Sequence, residues 1–201
     1  MQERRRREEE GRVHIPAFDL APPSVRGIIL SMKSLRAWLG LDREDTHDDA
    51  PLRDILETLD HLPSDRARYL AAFAYLLGRV AGADQHVSPE ETRAMEALVS
   101  EHGGIPEEQA MIVVQLAKTS NLLFGGTANF LVAREFSAMS SYEQKLALMK
   151  CLFAVSATDE TISTSEESEI HRLANELRIQ PDDLIALRVT YRRYLPGMFR
   201  H

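Results

Sequence analysis

A stretch with two carboxylates seven residues apart, Asp84 and Glu91, has a counterpart seventy-five residues on in this chain of 201 residues, Asp159 and Glu166. The intervening residues keep the same plan, with Val87-Ser88 in the first stretch and Ile162-Ser163 in the second. Four such carboxylates brought to one place would supply hard oxygen donors, which suit Ca²⁺, Mg²⁺ or Mn²⁺ better than Zn²⁺. The same residues admit another chemistry. Ser88-Pro89-Glu90-Glu91 and Ser163-Thr164-Ser165-Glu166 have the form of helix capping boxes. In a capping box the Ser hydroxyl accepts from a free amide of the first turn, and the Glu reaches back to the amide of the Ser. Acid in the first turn also suits the helix dipole. Capping accounts for Ser88, Glu91, Ser163 and Glu166, but not for Asp84 and Asp159. Those two fall at the C-terminal ends of the preceding apolar stretches, where a helix dipole disfavours a carboxylate. A turn role is open to Asp, and so is a cation. The calcium-loop pattern of alternating acids, central Gly and distant Glu is absent.

Whatever the acids do, helices must present them. Tyr69, Leu70, Phe73, Leu76, Leu77 and Val80 recur at helical spacing and predict a helix from about Asp65 to Ala83. A second helix from Ser88 buries Met95, Leu98 and Val99 and stops at Gly103-Gly104, and Pro106 opens a third with Met111, Ile112, Val114 and Leu116. Seventy-five residues on, the plan returns. Leu146, Met149, Leu152 and Val155 lie on one helix, Ile170, Leu173 and Leu177 on the next from Ser163, and Leu184, Leu187 and Tyr191 on the last from Pro181. Leu77 matches Leu152, Asp84 matches Asp159, Glu101 matches Glu176 and Pro106 matches Pro181, without a gap. Between the copies, Gly125-Gly126 forms a turn, and Thr127 caps a helix that faces Phe130, Ala133, Phe136 and Ala138 inward. The expected fold is all-α: a bundle of about seven to nine helices built from two pseudo-repeats of three, about 65–118 and 140–193.

The repeats belong to a domain spanning 64–201. Ahead of it, 1–23 is a charged tail and linker, with Arg4–Arg7 followed by Glu8–Glu10. Residues 24–63 are an N-terminal helical extension. There Val25, Ile28, Met32, Leu35 and Leu39 share one face, and Leu52, Ile55, Leu56 and Leu59 form a short helix ended by Pro63.

A net charge of −7 argues against a nucleic-acid binder driven by phosphate neutralisation, and 44% apolar residues suffice for a core. No apolar run reaches the roughly 18 residues of a membrane span. Cys151 is the only cysteine, which excludes an internal disulfide and fits a cytoplasmic protein. It falls within an apolar helix and reads as core. Arg188, Arg192 and Arg193 make a basic helical patch, read as a solvated face. His47-Asp48-Asp49 lacks ligand spacing. His86 has Thr161 as its counterpart and reads as exposed. No phosphate loop, His-Glu-x-x-His motif or nucleophile-base pairing is present, so a non-catalytic role is expected.

An apolar helix ending in Ala83-Asp84, a short loop, Val87-Ser88-Pro89-Glu90-Glu91 and a second apolar helix resemble the TerB family, named for tellurite resistance in bacteria. The second copy, with Leu173-Ala174-Asn175-Glu176-Leu177 before Pro181-Asp182-Asp183, is similar in layout, and the resemblance covers about Arg66 to Leu195. It implies a duplicated all-helical domain with a role in stress response and a divalent-cation site. Carried over by position, that site is Asp84, Glu91, Asp159 and Glu166. It also implies protein partners, and peripheral docking at the inner face of the membrane through them. A metal-free interaction adaptor, or a module associated with co-chaperones, is the alternative. One departure bears on the site: the family usually has Gly after the Asp, and this chain has Gln85 and Glu160. A residue other than Gly there is expected to alter the turn and weaken cation binding.

Overall fold

In a computed structural model of the chain, the described residues are 50–81, 89–123 and 129–195. The charged tail, the amphipathic stretch from Ser24 to Gly40, Asp84, Ser88, Gly125-Gly126 and Thr127 lie outside them. The described residues form eight α-helices and one short 3₁₀ turn, with no strand, as an all-α reading requires. In chain order the helices are α1 (Ala50–Asp60), α2 (Ser64–Ala81), α3 (Pro89–Gly103), α4 (Glu107–Leu123), α5 (Asn129–Met139), α6 (Tyr142–Ser156), α7 (Thr164–Glu176) and α8 (Pro181–Thr190). The 3₁₀ turn, Arg192–Tyr194, follows α8.

Helix α2 is the axle of the bundle. Pro63 supplies the first carbonyl, accepting from Ala67 at 2.9 Å, and Asp65 in the first turn suits the dipole. Alanines 67, 71, 72 and 74 are strong helix formers, and they let neighbours approach on every side. Burial follows almost all round: Leu70, Ala72, Phe73, Ala74, Leu76 and Leu77 have no exposed surface. A helix apolar on all faces belongs in the centre of a core, and α1, α4, α5, α6 and α7 all pack on α2. Each fully buried Leu or Phe contributes about 2 kcal/mol of transfer free energy.

Helix α6 is the second central element, with Leu148, Met149, Cys151, Leu152 and Phe153 wholly buried. It starts at a capping box: the Ser141 hydroxyl accepts from the Gln144 amide, and the Gln144 side chain accepts from the Ser141 amide. Helix α2 packs on α7, and α6 packs on α3. Tyr142 then ties α6 to α8, its hydroxyl donating to Asp183 at 2.6 Å and accepting from the Gln180 amide at 3.0 Å.

Residue size does not by itself mark the buried faces. Helix α4 buries Ala110, Val113, Val114, Leu116 and Ala117, while Met111 is exposed and Ile112 half-buried. In α5 the buried residues are Val132, Ala133 and Phe136, and Ala138 faces out. Met95 and Leu98 pack only partly buried beside the fully buried Val99. The helices that the two prolines open begin at slightly different points relative to them. Pro106 is the residue before α4, accepting from the Ala110 amide. Pro181 is the first residue of α8, whose opening carbonyl is that of Gln180, accepting from Leu184. The two prolines align in sequence, yet they occupy different positions of their helices.

Helices α3 and α7 end in left-handed residues. After α3, Gly104 has φ +62°, a conformation glycine adopts freely. Gly103 before it is needed for space, because a Cβ there would lie 3.0 Å from Phe73. After α7, Arg178 takes φ +59°. Its amide bonds Asn175 O at 3.1 Å and the Ile179 amide bonds Ala174 O at 2.9 Å, which is a Schellman closure with Ile179 buried against the helix.

Candidate functional site

The loop between α6 and α7 carries Asp159 and runs from Ala157 to Ser163. It opens on a tight turn: the Thr158 amide bonds Val155 O at 3.1 Å, and the Glu160 amide bonds Ala157 O at 3.2 Å. Glu160, at the position where glycine was expected, itself takes the left-handed conformation, with φ +62°. The loop is then pinned from below. Ile162 is 1% exposed, and its amide donates to Tyr194 O at 2.7 Å, so the 3₁₀ turn at the end of the described chain holds the loop down. Ser163 closes it as the N-cap of α7, accepting from the Glu166 amide at 3.2 Å, while the Glu166 carboxylate accepts from the Ser163 amide at 2.8 Å. The capping box expected from sequence is therefore present in this copy.

The four predicted acids divide as follows. Asp159 is exposed just beyond α6, and its carboxylate has no hydrogen bond or ion pair among the described residues. Glu166 is half-buried, with one carboxylate oxygen in the cap. Glu91 is exposed in the first turn of α3. Asp84 lies outside the described residues. Among the described residues no three His, Cys, Asp or Glu side chains converge as ligands. The donors that Asp159 and the second oxygen of Glu166 offer are oxygens alone, which fits a hard divalent cation rather than Zn²⁺.

Left-handed backbone costs a residue with a Cβ about 1–2 kcal/mol, part of which glycine returns through its greater freedom when unfolded. Glu160→Gly is therefore expected to stabilise the fold by about 0.5–1 kcal/mol, measured as a higher urea midpoint at unchanged slope.

A charged network that no local pattern announces joins α2 to α7. Arg79, near the end of α2, has a side chain only 6% exposed. It reaches two carboxylates of α7, Glu169 through Nε and Glu176 through both terminal nitrogens, at 2.9 and 3.1 Å. Arg172 shares Glu169 at 2.7 Å. Burial alone would raise the pKa of Glu169, but hydrogen bonds from Arg172 and Arg79 outweigh it and hold the carboxyl below its usual range. A signal existed in the sequence: a lone cation inside the apolar run Leu76–Val80, and two acids seven apart on α7. Nothing local joined them, because they stand 90 and 97 residues apart.

The expected basic patch resolves differently from a free face. Arg188 is paired to Glu167 of α7, with Nε at 3.1 Å from Oε1. The Arg193 guanidinium lies 4.6 Å over the Tyr194 ring. Cys151 has no exposed surface, and burial pushes its thiol up to about 12, so it is core as expected and not a nucleophile. No helix among the described residues is long and apolar enough to cross a membrane.

The family model described as tellurite resistance protein TerB matches residues 69–189, more than half of the chain. No curated protein and no solved structure matches it.

Proposed function

The chain belongs to the TerB family, and on that premise we propose that it is a non-catalytic, tellurite-resistance-related domain that binds a divalent cation at its acidic loops and docks protein partners. One observation carries the cation: Asp159 stands unpaired beyond the C-terminal end of α6, where the helix dipole disfavours it. A cation shared with Glu166, and with Asp84 and Glu91 of the other loop, would relieve that repulsion and draw the halves together. The domain would act in the cytoplasm, meeting the inner face of the membrane through its partners.

A second reading has its own support. Glu166 already serves the cap of α7, and a helix start so secured needs no metal. On that reading the domain is a metal-free adaptor or a co-chaperone-associated module.

Thermal melts of the metal-depleted full chain with Ca²⁺, Mg²⁺, Mn²⁺ or Zn²⁺ separate the two, because an ion that binds only the folded state must stabilise it. The expected result is a rise of the melting temperature with an oxygen-preferring ion, abolished by Asp84→Asn with Asp159→Asn. No rise with any ion selects the adaptor.

A further inference from the structure

Unpaired cations gather at one place on the described surface, in a chain whose net charge is −7. A cleft of about 510 Å³ opens between α5, α6 and α7, lined by Arg134, Ser137, Lys145, Asn175, Glu176 and Arg178. The Glu176 carboxylate is taken by Arg79, bonded to both of its oxygens. Arg134, Lys145 and Arg178 have no carboxylate partner among the described residues. Three cations, from α5, α6 and the turn after α7, thus line one hollow whose single carboxylate is already paired.

Their placement is also costly. Arg178 sits at φ +59°, where glycine is the usual occupant. Lys145 is the fourth residue of α6, in the turn where a helix dipole favours an anion. A bound anion offsets both cation repulsion and that dipole. Two guanidinium forks suit phosphate oxygens, an ammonium adds a point charge, and the Ser137 hydroxyl and Asn175 amide add polar contacts. The volume lies within the roughly 300–1,000 Å³ of small-molecule sites.

We propose that this cleft binds a small soluble molecule carrying two or more phosphate groups. The site is separate from the acidic loop. It lies at the C-terminal end of α7 and the loop at the N-terminal end, a helix of 13 residues, or about 20 Å, between them.

Pyrophosphate is the probe, titrated calorimetrically into the full chain freed of divalent cations, so that the outcome is independent of cation binding. Saturable binding is expected, weakened about tenfold by each of Arg134→Gln, Lys145→Gln and Arg178→Gly. Arg178→Gly is the decisive variant, because loss of the left-handed strain raises its unliganded melting temperature while the rise on adding pyrophosphate shrinks. A destabilised fold cannot give that pair of signs. Arg192→Gln with Arg193→Gln is the control and leaves the affinity unchanged. The proposal is overturned if wild type does not bind, or if the control loses as much affinity as the cleft variants. It is also overturned if citrate binds as tightly as pyrophosphate, or if only phosphatidylglycerol vesicles, and not pyrophosphate, respond to the cleft variants.

Discussion

Arg79→Met lowers the stability of the fold by about 3 kcal/mol near neutral pH, the scale of breaking one partner out of a buried ion pair. Methionine keeps most of the volume, so the loss is that of the counter-charge to Glu169 and Glu176, both only 19% exposed. The pH dependence identifies the cause. The folded pKa of Glu169 lies below its unfolded value of 4.5, so its stabilisation is complete above about pH 4.5 and fades as pH falls through the folded value. In the variant the hydrogen bond from Arg172 remains, but burial is no longer outweighed as strongly. The difference between wild type and variant should therefore be full near pH 7 and shrink below about pH 4.5, where a protonated Glu169 no longer needs the cation. Urea denaturation at both pH values measures it. A difference that stays constant with pH would assign the loss to packing.

Phe136→Ala is expected to cost about 4 kcal/mol, within the range of about 3–5 for emptying a buried aromatic site. Phe136 has no exposed surface and joins α5 to α2 through two rings. Tyr69 stacks on it with centroids 5.4 Å apart, and Phe73 meets it edge-on at 6.2 Å. The site collapses poorly, because Phe73 is itself fixed by Gly103, where even a methyl group would lie 3.0 Å from the ring. Phe136→Leu should lose less than half as much, since it leaves a smaller void. Equal losses for the two substitutions would mean that ring geometry, rather than filled volume, holds α5 in place.

The parts of this fold legible in sequence are those whose physics is local. Helical spacing placed Phe73, Leu76 and Leu77 in the core, as it did Met149, Leu152 and Ile170. The Ser163–Glu166 cap follows from two residues three apart. The inner face of α4 was not legible from residue size, because this helix buries small residues, Ala110, Val113 and Ala117, against the close-packed α2 and leaves Met111 exposed. The prolines at 106 and 181 mark helix starts as expected, at slightly different positions, because proline is tolerated both before a helix and at its first position. Near the candidate site, the place of Asp159 beyond the end of α6 and the cap of α7 were legible, whereas Arg79 with its α7 carboxylates was not. The cleft cations come from three elements, a juxtaposition that only the packing of α5 against α7 and α7 against α6 creates.

Cys151 gives this fold an internal clock. Its sulfur is enclosed at the middle of α6, and its thiol is held so far from ionisation that the folded molecule presents no thiolate. A thiol reagent can therefore react only with molecules whose core has opened. As the only cysteine in the chain, it confers a single exponential of modification. With slow reagent, that rate counts the equilibrium fraction of open molecules; with fast reagent, it counts openings one by one. Any ligand that grips the closed form, at either end of α7, slows the same clock without touching the sulfur.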